Sequence, residues 1–151
     1  MLNEILIELF ERDLGKLRSE IEQYSNEADL WTTTGEISNS AGNLALHLTG
    51  NLQHFFGSVL GGTGYVRDRD AEFANRSVSR GDILAEIDET ISVLRSTIAT
   101  LTPEDFAKEY PFEVFGKPMT TGFFAVHLST HFNYHLGQIN YHRRMVSGTA
   151  S

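Results

Sequence analysis

The sequence predicts an all-α protein, a four-helix bundle, and three observations carry that reading. Apolar residues recur at helical spacing in four long segments, the later three segments open on a residue that caps helices, and no stretch alternates convincingly as a central strand would. From residue 2 to about 24, Ile5, Leu6, Leu9, Phe10, Leu14, Leu17 and Ile21 form one stripe among Glu, Arg and Lys. Residues 25–38 mix polar side chains with Trp31, a threonine run and Gly35 and read as an irregular connection. Ser40 then caps a second helix that shows Leu44, His47, Leu48, Asn51, Leu52 and Phe55 on one broad face. The glycines at 57, 61, 62 and 64 end it, because glycine has too many non-helical states to propagate a helix. Tyr65 to Phe73 follows as a charged loop in which Arg67, Asp68, Arg69 and Asp70 pair among themselves or line a pocket mouth.

Ser79, with Asp82 three residues on, opens a third helix striped by Ile83, Leu84, Ile87, Ile91, Leu94 and Ile98. It ends near Leu101, where Thr102-Pro103-Glu104-Asp105 starts one more short turn. The aromatic segment 110–119 reads equally as a small hairpin around Gly116 or as a loop. Thr120 or Thr121 caps a fourth helix running from about residue 122 to 145, and residues 147–151 form a frayed tail. Within that helix Phe123, Phe124, Phe132, Tyr134 and Tyr141 read as core and interface filling. Residues 1–151 are expected to make a single domain.

Composition narrows the functions. Twelve Lys+Arg against 20 Asp+Glu give a formal charge of −8, which disfavours nucleic acid and anionic membrane surfaces as partners. The absence of cysteine removes disulfides, thiolate nucleophiles and Cys-containing zinc sites, so any metal must be held by imidazole, carboxylate or water. With neither a basic leader nor a long apolar run at the start, the cytoplasm is the default location.

The fourth helix carries His127, His131 and His135 one turn apart. At about 100° per residue, each step of four advances only about 40° around the axis, so all three imidazoles lie along one face. Two neighbours can share one divalent ion, but the outer two stand about 12 Å apart in rise, so the pair is either His127 with His131 or His131 with His135. His47, on the apolar face of the second helix, supplies a third ligand across the core and leaves a coordination position open. His54 and His142 read instead as hydrogen-bonded core or boundary residues. Asn51 and Gln138 read as either hydrogen-bond partners of ligands or simple core polar groups, and the glycines at 61, 62 and 64 lack the spacing and lysine of a phosphate loop. No Glu or Asp stands out as a general base beside the expected ligands.

The segments Asn43-Leu-Ala-Leu-His47-Leu-Thr-Gly-Asn51-Leu and His131-Phe-Asn-Tyr-His135-Leu-Gly-Gln138-Ile139 resemble the DinB-like superfamily of metal-binding four-helix bundles. That resemblance implies His47, His131 and His135 as ligands of a divalent ion, zinc or nickel, with His127 a bystander or a hydrogen-bonding support to a ligand, an exchange of roles with His135 being the alternative. It also implies a homodimer and a small-molecule substrate, with chemistry of metal-dependent hydrolysis or transfer of a low-molecular-weight thiol. The ion's role would be to lower the pKa of water toward about 7 or to stabilise a thiolate. Two other readings compete: a non-catalytic metal- or ligand-binding stress-response protein, and a structural histidine network in a protein acting through its dimer surface.

Overall fold

In the computed structural model, which describes residues 1–148, every regular element is a helix and no strand occurs among the described residues. Helix α1 spans Leu2–Glu22, a 3₁₀ turn Glu27–Trp31, α2 Ala41–Leu52 continuing as a π-helix Gln53–Ser58, and α3 Arg69–Ala74. Helix α4 spans Arg80–Ala99, α5 Pro103–Ala107 and α6 Thr121–Val146. The four long helices match the expected segments, and their apolar stripes meet in one core that includes Leu6, Phe10, Leu14, Leu48, Phe56, Ile87, Phe132 and Ile139. Side-chain caps fix three starts as the sequence implies. Ser40, Ser79 and Thr120 accept hydrogen bonds from the amides of Asn43, Asp82 and Phe123 at 3.3, 3.1 and 3.1 Å.

Helix α2 departs from the expectation of a single apolar face: every residue from Ala41 to Leu52 is buried. It is enclosed by α3, α4, α6 and the 3₁₀ turn, and α1 closes the core by packing on α4 and α6. Trp31 lies so close over α2 that a Cβ at Gly42 would meet its ring at 2.6 Å. Polar clamps hold α1 to α6. Asn133 donates to Asp13 at 2.7 Å, and Asn140 and Arg143 donate to Glu20 at 2.6 and 2.5 Å.

Two connections correct the sequence reading and a third settles an alternative it left open. The charged loop at 65–73 contains α3, which forms because Asp68 accepts from the Ala71 amide at 3.0 Å and Asp70 and Glu72 favour a helix's positive first turn. Its Arg and Asp residues are not self-paired, since Arg67 binds Glu72 and Arg69 lies over the Phe73 ring. The 25–38 connection holds the 3₁₀ turn, capped by Asn26. The segment 110–119 is a loop rather than a hairpin, closed by one antiparallel bridge between Glu109 and Thr120. The short turn expected after Thr102 is α5, with Thr102 and Asp105 in a reciprocal capping box.

Of the α6 aromatics, Phe124 and Phe132 are buried, whereas Phe123, Tyr134 and Tyr141 lie in the solvent with Met145. The tail expected at 147–151 falls, from residue 149 on, outside the described residues. No helix among the described residues is long and apolar enough to cross a membrane.

His142 is the core histidine the sequence implies. Its Nε2–H donates to the Thr32 carbonyl at 2.7 Å and its Nδ1 accepts from the Tyr24 hydroxyl at 2.6 Å, joining α6 to the segments that follow α1 and the 3₁₀ turn. Removing that hydroxyl leaves a buried acceptor unpaired. Tyr24→Phe is therefore expected to cost about 1–3 kcal/mol in urea denaturation, and an unchanged midpoint would show that the bond carries no weight.

Candidate metal centre

Three elements assemble the site. Helix α2 supplies His47 from the centre of the fold, α6 supplies His131 and His135 one turn apart, and α3 lies across His47. Nitrogen atoms of His47, His131 and His135 all lie within 4.8 Å of one another. The Nε2 atoms of His47 and His131 are 3.2 Å apart, close to the roughly 3.3 Å edge of a tetrahedron with metal to nitrogen bonds of about 2.0–2.1 Å. His127, one turn earlier, turns toward the aromatic wall, its ring 4.9 Å from that of Phe115 and 6.1 Å from that of Phe124.

Hydrogen bonds fix two of the three rings with Nε2 free to ligate. Glu72 Oε1 lies 3.1 Å from His47 Nδ1, so that nitrogen carries the proton and donates it to the carboxylate. Gln138 Oε1 does the same for His135 Nδ1 at 2.7 Å. The Nδ1 of His131 is buried without a partner among the described residues, and that ring is oriented by packing between its two neighbours and by the contact of its Nε2 with that of His47.

Glu72 is held in turn by Arg67, which donates from Nε and Nη2 at 2.8 and 3.0 Å. Burial pushes the Glu72 carboxyl up, but hydrogen bonds from His47 and Arg67 outweigh it and hold the group below the usual carboxylate range. Gly50 makes the arrangement possible: a Cβ there would run into the Glu72 carboxylate. Asn43, earlier on α2, donates to the carbonyls of Glu72 and Asn75 at 2.9 and 2.7 Å and anchors the C-terminal end of α3.

The histidines border a cavity of about 370 Å³ walled by Phe55, Phe73, Phe115 and Phe124, with Arg67 and Arg69 at its polar edge. The π-helical segment brings Phe55 to that wall, and its carbonyl accepts from the Tyr110 hydroxyl at 2.7 Å. A cluster of imidazoles with free Nε2 atoms beside an aromatic cleft has the donor set and the room for a divalent ion together with a small organic molecule.

The family model for a protein of unknown function, DUF1572, matches residues 4–150. The chain belongs to the DUF1572 family. No curated protein matches it.

In this DUF1572 chain the two histidine pairs left open by spacing are separated by the fold, which brings His131 and His135, but not His127, to His47. Gln138 is resolved as the partner of His135, whereas the Asn51 side chain makes no hydrogen bond to His47 or to any other described residue. His54 stands half-buried against Phe55 and Phe112 without the side-chain hydrogen bond expected of it. Arg67 and Arg69 do line the mouth of the cleft, one of the two roles the sequence allowed them, but Glu72 and its bond to Arg67 were missed. Both partners of that bond sit in a stretch with no apolar stripe, and the one available signal was Asp68 as a helix cap ahead of Asp70 and Glu72.

Burial, reinforced by repulsion from His135, His47, His127 and Arg67, lowers His131 from 6.5 to about 4, and burial also lowers His135. A histidine whose folded pKa is depressed binds more protons when unfolded. The metal-free DUF1572 protein should therefore keep constant stability above about pH 6.5 and lose it as pH falls toward about 4. Thermal midpoints across that range, with His131 followed by NMR, check this. A His131 resonance titrating near 6.5 would contradict it.

Proposed function

We propose that this protein holds one divalent ion, zinc or nickel, on His47, His131 and His135 and is a metal-dependent enzyme acting on a small molecule in the adjoining cleft. The observation that carries the reading is the convergence of the three imidazoles, two of them with Nδ1–H committed to Glu72 and Gln138. When bound, the ion supplies Lewis acidity, which acidifies water or a thiol at neutral pH.

The chain's own groups divide the rest of the work. Glu72 and Gln138 keep Nε2 of their histidines free, Arg67 fixes Glu72, and the phenylalanines keep water from the cleft. Because Glu72 is committed to His47 and Arg67, it is not free to act as a general base. This supports transfer of a low-molecular-weight thiol to an electrophile over hydrolysis, since the thiol brings its own nucleophile. We also read the four long helices as a DinB-like four-helix bundle, and the exposed row of Phe123, Tyr134, Tyr141 and Met145 on α6 supports a homodimer formed through that face.

Elemental mass spectrometry on protein reloaded under identical conditions tests the centre. About one ion per chain is expected in the native protein and in His127→Ala, and none in His47→Ala, His131→Ala or His135→Ala. Native protein that retains no ion sinks the proposal. Metal retention without turnover of any thiol and electrophile pair would leave a metal-binding protein.

Gly50→Ala probes the support beneath His47. Its new methyl displaces Glu72, so metal affinity should fall about 10–100-fold while helix content stays unchanged. Competition with a chromogenic chelator measures this, and native affinity would mean that Glu72 does not support the ligand.

A further inference from the structure

The cleft beside the histidines departs in charge from the chain that encloses it. Acidic residues outnumber basic ones 20 to 12 in the sequence, yet among the described residues no Asp or Glu lines the cavity, whereas Arg67 and Arg69 do. Other arginines close on carboxylates, as Arg18 does on Asp88, Arg95 on Glu11 and Arg143 on Glu20. Arg67 is committed in the same way, with Nε and Nη2 donating to Glu72. Arg69 is not. It forms no hydrogen bond or ion pair with any described residue, and its carboxylate neighbours on α3 serve elsewhere, Asp68 as the helix cap and Glu72 on His47 and Arg67.

Arg69 is nonetheless held in place. Its guanidinium lies over the Phe73 ring, 5.2 Å from the centroid, and the Phe73 ring lies 4.9 Å from that of His47, which sets about 10 Å as the upper limit between guanidinium and imidazole. Stacking on an aromatic ring engages the face of a guanidinium and leaves the N–H groups at its edge free. A planar fork of donors therefore stands at the rim of the cleft, one ring away from the histidine cluster. An ion on three neutral imidazoles keeps its full charge, and the pair of Arg67 and Glu72 cancels, so Arg69 adds to a positive field that nothing in the lining offsets.

We infer that Arg69 is a specificity-determining residue that binds a carboxylate of the molecule held in the cleft. The substrate class follows: an aromatic or apolar body with a donor atom for the metal at one end and a carboxylate at the other. The inference rests on the metal-centre reading for where the donor atom sits, and on the uncompensated guanidinium for the charge at the far end.

The test is calorimetric titration of the zinc-loaded full chain with 4-mercaptobenzoate against 4-mercaptobenzamide, and with the 3-substituted pair. Within each pair the thiol and the ring are shared and the charge differs, and the rigid ring keeps the carboxylate from chelating the ion. At least one carboxylate is expected to bind the native protein about fivefold more tightly than its amide, and less so as salt is raised. In Arg69→Gln, with metal content unchanged, the members of each pair should bind within about twofold of each other. Arg69→Lys, which keeps the charge but not the fork, should restore part of the preference. Equal binding of both pairs to the native protein overturns the inference. So does a preference undiminished in Arg69→Gln, which would trace the selection to the ion or to Arg67.

A second readout needs no ion. Native protein that retains no metal on elemental analysis strikes the metal-centre reading alone, and Arg69 is then judged on the metal-free chain by NMR. There benzoate, and not benzamide, is expected to shift the Arg69 Nε–H resonance. Equal shifts with the two compounds, or none with either, overturn the inference in that case.

Discussion

Helix α2 is surrounded by protein on every side, so each polar group within it must be answered by a neighbouring element or left unpaired. Helices enclosed in this way are ordinarily apolar all round. This one carries Asn43, His47, Thr49 and Asn51, and the elements packed on it are arranged around those groups. Asn43 draws the end of α3 onto α2 through two backbone carbonyls, which places Glu72 over Gly50 and against His47. The glycine is as necessary as the carboxylate, because a side chain at that position would occupy the place where the Glu72 carboxylate lies. The support of the histidine cluster is thus built from the same bonds that satisfy a buried helix.

Electrostatically the site inverts the rest of the molecule. The chain has a formal charge of −8, yet the cleft gathers four histidines and Arg67, with Glu72 as the counter-charge beside them. Burial and mutual repulsion keep His131 neutral down to about pH 4. Neutral imidazole is the form that ligates metals, so the forces that keep a proton off His131 leave its lone pair available to donate to a metal cation.

Much of this was legible in the sequence because long helices announce themselves. The stripes of α1, α4 and α6 and the caps at Ser40, Ser79 and Thr120 are periodic or local signals, and both survive folding unchanged. The histidines of α6 were readable as a row but not as a set, since a step of four residues leaves His127 and His135 equally plausible neighbours of His131. Only the packing of α2 against α6 separates them. Glu72 was not readable as a site residue, because its role depends on a contact 25 residues away in sequence, from a six-residue helix too short to show a stripe. The unpaired state of Asn51 was hidden for a related reason: the absence of a partner is a property of the assembled core.

The loop between α5 and α6 has an independence that the other walls of the cleft lack. Its base is tied by two backbone hydrogen bonds, from the Tyr110 amide to the Met119 carbonyl at 2.9 Å and from the Thr121 amide to the Lys108 carbonyl at 2.8 Å. Neither bond depends on side chains in the span between, yet that span delivers Val114 and Phe115 to the cleft. Changes of sequence in that span would reshape one side of the cavity while leaving the helices that carry the histidines in place. The span is thus a cassette whose length and side chains can be altered, by natural variation or by laboratory recombination, around a fixed histidine cluster.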